Sequence, residues 1–416
     1  MNNIFGINDK LIHQAGLSEE KCFKRFKEIQ KNAQYNQDKV LYAFKKNTVS
    51  ESHFNPSTGY GYSDRGRDVL DCVFADTFNT QDALVRHSFV SGTHALTVAL
   101  FGILRPGDTL LSVTSKPYDT LDAVIGIRKA SGSLVDFGIN YRQVDFKNNE
   151  IDYNGIKAAL TNDVKVVFIQ RSKGYSLRKA LNIDEIGKIV EFVKNINSKV
   201  IVAVDNCYGE FVEQREPTEV GADLIIGSLI KNPGGGLART GGYIAGKKVL
   251  VEECAYRLTA PEIGKECGAS LDEKRNIFQG LFLAPHVVSQ ALKTTVFASV
   301  LFGDLGYNTT PSLNEKLTDI IGTITFNDPD KALAFCRGIQ SGSPIDSFAT
   351  PESAYMPGYE DNVVMAAGTF IQGASIELSA DAAMRPPFTV YFQGGLTYES
   401  GKTGILHAAN KLDYIL

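Results

Sequence analysis

Cys22, Phe26, Ile29 and Ala33 recur at intervals of four, three and four residues, and the positions between them are rich in Lys, Glu and Gln. That spacing predicts a long helix over 18–47, continuous or with one break, with an apolar stripe on one face. Ser18 is the expected N-cap, and Glu19 and Glu20 fall in the first turn, where the helix dipole favours them. Such an arm packs either on its own domain or on a partner subunit. Residues 50–66 (SESHFNPSTGYGYSDRG) then change to Ser, Gly, Asn, Pro and Tyr, which is loop chemistry and marks a boundary. Beyond it, short β-rich runs at 84–90, 109–113, 164–170, 200–205, 224–227 and 242–245 alternate with helical stretches that include 94–104, 121–130, 153–160 and 183–196. The strands are almost continuously apolar, so an α/β fold with a mostly parallel sheet covered by helices is expected.

The rhythm fades after about residue 290 into shorter elements of alternating character (DIIGTITF, KALAFCRGI, TFIQGASIEL, FTVYFQGGLTYE), read as a smaller α+β domain. The expected organisation is an N-terminal helical arm over 1–58, a large α/β domain over 59–295 and a small C-terminal domain over 296–416.

Composition narrows the classes. The 416 residues are 43% hydrophobic and 22% charged, close to the globular average. Lys and Arg total 43 against 47 Asp and Glu, and no basic region suits nucleic acid. No apolar run is long enough to span a bilayer. The opening MNNIFGINDKLIHQ lacks a basic head followed by an apolar stretch, so no secretion signal is expected. Six scattered cysteines form no CxxC pair, which points to a reduced, cytoplasmic protein with neither a zinc site nor a disulfide scaffold.

Two motifs fall short. Gly241–Lys248 almost spells a nucleotide P-loop, but Lys248 stands where the magnesium-holding Ser or Thr belongs. Ser228-Leu229-Ile230-Lys231 fits SxxK, and Lys402-Thr403-Gly404 fits KTG, the order used by acyl-serine enzymes. An intervening SDN is missing, and Ser228 follows an apolar strand of the parallel-sheet pattern.

A different constellation fits that pattern. Lys231 follows the buried strand ending near Ser228, and Asp205 ends a second buried strand. Both therefore open into the crevice where α/β sheets bind ligands. An Asp there needs a cationic partner or hydrogen-bond donors. Pyridoxal phosphate meets both demands: its pyridine nitrogen pairs with a carboxylate, and its aldehyde joins a Lys whose amine is activated by desolvation. Ser91-Gly92-Thr93 opens a helix whose free N–H groups suit a phosphate, and Tyr118 lies on a loop where it can stack on a flat ring.

With SGTHA, the Tyr118 loop, DNCYGEF and GADLIIGSLIKNPGG in this order, the chain resembles fold type I pyridoxal-phosphate enzymes of the cystathionine β-lyase and methionine γ-lyase group. The closing stretch PGYEDNVVMAAGTFIQGASIELSAD…RPPFTVYFQGGLTYE resembles that of the bacterial methionine γ-lyase-like, or aluminium-resistance, branch; the likeness runs from about 59 to 399. The resemblance implies that Lys231 is the Schiff-base lysine, that Asp205 pairs with the pyridinium, and that Ser91, Gly92, Thr93 and Ser228 hold the phosphate. Tyr118 would stack on the ring and take part in catalysis. Tyr62 and Arg65 are similar to a family segment that reaches the phosphate of a neighbouring subunit, although an extra residue separates them here. The implied enzyme is a homodimer or homotetramer with shared active sites. For the substrate carboxylate, the candidates are Arg385, before the expected strand 388–392, and Arg171, where the family usually has an Asn- and Pro-containing turn. The implied reaction is β- or γ-elimination from a sulfur amino acid such as cystathionine, methionine or cysteine. Lys231, its pKa lowered by the pocket, would move the α-proton. An aminotransferase sharing the same lysine, aspartate and phosphate site is the alternative.

Overall fold

The computed structural model describes residues 3–412 except Leu177, Pro357, Gly358 and Glu360, so three residues of the closing motif lie outside the described residues. The first helix, α1 (Asp9–Lys46), starts earlier than its apolar stripe predicts, because Asn8 caps it by accepting the Lys10 N–H. Ser18 is therefore not the N-cap. It is buried inside the helix, and its hydroxyl donates to Asp304 at 2.6 Å.

Next come α2 (Arg65–Thr77), β1 (Asp82–Arg86), α3 (Gly92–Ile103), β2 (Thr109–Ser112), α4 (Thr120–Ile125), β3 (Asn140–Gln143), α5 (Tyr153–Ala159), β4 (Val164–Gln170), α6 (Ile183–Ile196), β5 (Ile201–Asp205), β6 (Leu224–Ser228), β7 (Gly242–Gly246) and α7 (Lys248–Leu258). The seven strands form one sheet in the order β1-β7-β6-β5-β4-β2-β3. It is parallel from β3 through β6, and β7 runs antiparallel to both of its neighbours. Successive residues of each strand feed opposite faces: Val167, Ile169, Val202 and Val204 join one core, and Val166, Phe168 and Ala203 join the other. Two-sided burial is why these strands read as unbroken apolar runs. Helix α4 is shorter than expected because Gly126, at φ 101°, ends it.

The chain continues with α8 (Lys274–Asp304), β8 (Asn308–Thr310), β9 (Gly322–Thr325), α9 (Pro329–Ser341), β10 (Val363–Ala366), β11 (Ser379–Ala383), β12 (Thr389–Gln393) and α10 (Tyr398–Leu412). Its five strands make a second, antiparallel sheet ordered β10-β11-β12-β9-β8. Helix α8 serves both halves: Ile277, Phe278 and Leu281 lie in the core of the first sheet, and Phe297, Leu301 and Phe302 in that of the second. The arm packs on its own chain, with Phe44 of α1 edge-on to Phe278 at 5.9 Å.

Candidate active site

The central pair comes from adjacent strands. β5 ends at Asp205 and β6 at Ser228, with Asp205 in register with Ile226. Both emerge at the carboxyl edge of the parallel strands. Just past Ser228, Lys231 heads a tight turn over Asn232–Gly234, and its Nζ lies 3.9 Å from the centre of the Tyr208 ring. One cavity is lined by Ser91, Gly92, Thr93, Tyr118, Asp205, Ser228 and Lys231, together with Ser172, Cys207 and Tyr208. Seven residues singled out from the sequence thus meet in one place.

Burial pushes the Asp205 carboxyl up, while Lys231, the Cys207 groups and Arg178 pull it back. Its Oδ1 accepts the Cys207 N–H at 3.1 Å. For Lys231, burial opposes the ammonium, but Cys207, Tyr208 and Asp205 outweigh it and hold the amine above its ordinary range. This corrects the expectation of a lowered pKa: Cys207, Tyr208 and Asp205 together favour the charged amine more than desolvation disfavours it.

The anion cradle has a clear gap in its bonding. Ser91 caps α3 by accepting the His94 N–H at 3.1 Å. A Cβ on Gly92 would stand 3.2 Å from Ser228 Cβ and narrow the opening. Ser228 Oγ is buried without a hydrogen-bond partner among the described residues. Buried hydroxyls are normally satisfied, and this one lies beside the free N–H end of a helix, so these residues fit a phosphate. Thr93 shares a 2.8 Å hydrogen bond with Thr120.

Tyr118 is fixed from two sides: its N–H donates to Gln170 at 2.5 Å, and its hydroxyl shares a 2.8 Å bond with Tyr359. Burial raises its pKa well above the ordinary range. Tyr175 joins an aromatic group around Tyr118, 5.8 Å from Tyr118 and 5.2 Å from Tyr391. Asp381 of β11 sits against this group, held by Gln393 and Tyr175, and burial raises its carboxyl to about 6.

Other expected residues lie elsewhere. Tyr62 is exposed and packs on Tyr60 at 5.6 Å; Arg65 is exposed at the start of α2. Neither lines the cavity of its own chain. Arg385 is half exposed and paired with Asp361 at 2.8 Å, also outside the cavity. Arg171 is corrected as a carboxylate fork. It is fully buried, and its terminal nitrogens are spent on Asn206 at 2.9 Å, Glu213 at 3.2 Å and Glu216 at 3.5 Å. The acyl-serine reading also fails in space, since Lys402 lies on α10, bonded to Glu19 at 2.6 Å. The P-loop look-alike is strand β7. Sequence reasoning missed Cys207, Tyr208, Tyr175, Tyr359 and Asp381. Tyr208 was within reach, being inside DNCYGEF, but its φ of 71° is a backbone choice that a sequence does not announce. All six cysteines are free thiols.

The chain is similar to known proteins over nearly its whole length. A family model described as methionine gamma-lyase matches residues 10–413. The uncharacterized protein YnbB of Bacillus subtilis (strain 168) is 54% identical over 389 residues, covering 93% of this chain and 92% of its own. A solved structure of a carbon-sulfur lyase involved in aluminum resistance from Clostridium novyi NT superposes with a TM-score of 0.94 at 51% identity, covering 98% of this chain and 96% of that one. L-methionine gamma-lyase of Pseudomonas putida is 26% identical over 194 residues, 47% of this chain and 44% of that protein.

Proposed function

The chain belongs to the methionine gamma-lyase family and is a pyridoxal-phosphate-dependent carbon–sulfur lyase; from that premise we propose that Lys231 anchors the cofactor and that its substrate is a sulfur amino acid. The observation that carries the assignment is the convergence of Lys231, Asp205 and the unpartnered Ser228 hydroxyl in one cavity at the carboxyl ends of β5 and β6. Ser91, Gly92, Thr93 and Ser228 are the phosphate donors, Asp205 is the partner of the pyridine nitrogen, and Tyr118 is the aromatic wall. The cofactor, when bound, supplies the electron sink that lets charge build at the substrate α-carbon.

The protein's own part is proton handling and positioning. Lys231 must give up its ammonium proton to hold the cofactor, and as the neutral amine it would take the α-proton and return it. Asp205 keeps a negative charge buried at the strand end, held by the Cys207 N–H. Tyr118, fixed by Gln170 and Tyr359, has a raised pKa and so keeps its proton, standing as a hydrogen-bond donor for a departing sulfur. With Arg171 spent, Arg385 is the proposed partner of the substrate carboxylate. Tyr62 and Arg65, exposed in one chain, are proposed to complete the site of a neighbouring subunit in a dimer or tetramer. Among the described residues no helix is long and apolar enough to cross a membrane, and we place the enzyme in the cytoplasm.

The deciding experiment is the absorbance spectrum of the purified protein before and after borohydride, with peptide mapping. The expected result is a yellow band that bleaches, with added mass on the Lys231 peptide and thiol release from cystathionine, methionine or cysteine. A protein that stays colourless with added pyridoxal phosphate overturns the cofactor assignment. Turnover that requires stoichiometric keto acid overturns elimination in favour of transamination.

A further inference from the structure

A second cavity, of about 180 Å³, lies behind the loop that follows β4 and is lined by Lys173, Arg178, Thr310, Asp319 and Thr323 among others. It shares no lining residue with the cavity around Lys231. Two of its groups are buried charges of opposite sign: Lys173 is 9% exposed and Asp319 is 5% exposed. Among the described residues no ion pair joins them. The Lys173 ammonium donates to Thr310 at 2.9 Å. Asp319 accepts the Ile321 N–H through Oδ1 at 2.9 Å, while its Oδ2 is buried with no hydrogen-bond partner among the described residues. The neighbouring charges are engaged. Arg178 donates to the backbone oxygens of Gln170, Ser172 and Lys179. Lys316 pairs with Asp184 and Glu213, and Glu315 accepts the Ser312 N–H.

Burying two opposite charges in one cavity without pairing them is costly. Burial lowers the Lys173 pKa and raises that of Asp319, and their mutual attraction across the cavity offsets these shifts only in part. A small molecule with a carboxylate and an ammonium a few ångströms apart would satisfy both. We propose that this cavity is a binding site for a small α-amino-acid zwitterion, its carboxylate on Lys173 and its ammonium on Asp319, separate from the substrate pocket. The hydroxyls of Thr310 and Thr323, which share a 2.6 Å bond, give the carboxylate a second partner.

An occupant here would be felt at the active site. Lys173 follows Ser172, which lines the Lys231 cavity and whose carbonyl accepts from both Gln170 and Arg178. Next to Asp319, the Ile320 N–H donates to the Tyr208 carbonyl at 3.2 Å.

Calorimetric titration of the holoenzyme with N-methylglycine and L-proline tests the site. Both are zwitterions whose secondary amines form no neutral imine with an aldehyde, so the substrate pocket does not capture them covalently. The expected result is saturable binding that leaves the cofactor absorbance band in place. Lys173→Gln and Asp319→Asn should each weaken it by at least about tenfold, the loss of one charged hydrogen bond. Thr310→Val, which removes no charge and is the safeguard should either charge variant misfold, should weaken it by a smaller factor. Acetate and ethylamine, each carrying one of the two charges, should not compete at equal concentration. Absence of saturable binding by either probe overturns the inference, as does affinity unchanged in the folded variants or binding that shifts the cofactor band. None of these results bears on the Lys231 assignment, which the band itself reports.

Discussion

The Ser228 hydroxyl is buried and has no hydrogen-bond partner among the described residues. Removing it therefore breaks no protein hydrogen bond, and Ser228→Ala should change the stability of the cofactor-free chain by less than about 1 kcal/mol. Its affinity for pyridoxal phosphate should still fall by roughly tenfold, the worth of one hydrogen bond to a charged group. Spectral titration beside thermal melts separates the two effects; equal damage to both would mean that the hydroxyl serves the fold. Asp381 gives the opposite balance. Burial raises its carboxyl from the ordinary 3.8 to about 6, so the folded chain binds this proton more tightly than the unfolded one. Stability contributed by the neutral form is complete below about pH 4 and is lost as pH rises through 6. Asp381→Asn, which keeps a neutral partner for Tyr175 and Gln393, should melt higher than the parent at pH 7.5, and the difference should vanish near pH 4. A pH-independent difference would refute this account. Lys231 and Asp205 were legible in the sequence because a charged residue at the end of an apolar strand is chemically conspicuous. Asp381 was not, because nothing local shows that residues around 175, 359 and 381 meet over Tyr118.

Helix α8 is where element-level reading ran short. The strands were legible because two-sided burial makes compact apolar runs bounded by turns, and β4 and α6 fall where the sequence puts them. In α8 the buried residues surround much of the axis, from Ile277 to Phe302, so the 3.6-residue period is blurred and the rhythm fades within the helix. Its contact with the Lys231 turn is backbone to backbone. A Cβ on Gly280 would stand 2.2 Å from the Gly234 oxygen, and one on Gly235 would stand 2.3 Å from the Gly280 oxygen. Gly280→Ala must push that turn away, so it should cost about 1–3 kcal/mol, as overpacking does. It should also weaken cofactor binding, because the turn begins at Lys231. In the same helix, an added Cβ on Gly303 meets only the Thr309 hydroxyl, at 3.7 Å. Gly303→Ala should therefore stabilise by about 0.5–1 kcal/mol, the propensity gain of alanine in a helix. Chemical denaturation of both variants, with cofactor titration, checks the contrast; similar effects at the two positions would show that the close approach does not govern the turn.

At the scale of the whole molecule, two long helices thread both cores. Leu11 and Ala15 of α1 lie with Phe297, Phe302 and Phe335 around the second sheet, while Cys22, Ile29, Val40 and Ala43 of the same helix lie in the core of the first. Glu19 adds a polar tie between α1 and α10, accepting from Tyr398 and Lys402 at 2.6 Å each. The first turns of α1 were missed in the sequence because their apolar residues face a core built some 300 residues later, so only the stripe over the nearer core showed as a pattern. This arrangement predicts that the two sheets do not unfold separately. Leu11→Ala removes a side chain that is 5% exposed, belongs to the second core and does not line the Lys231 cavity. It should cost about 2–4 kcal/mol, as large-to-small core changes do. If α1 and α8 couple the halves, the loss appears everywhere at once: the melt followed by the cofactor band and the melt followed by far-ultraviolet circular dichroism should shift down together and stay coincident, as a cooperative transition requires. If the halves are independent, circular dichroism will report an early partial transition while the cofactor band holds at the parent's temperature. The comparison therefore measures whether a defect in one core reaches a cofactor held by the other.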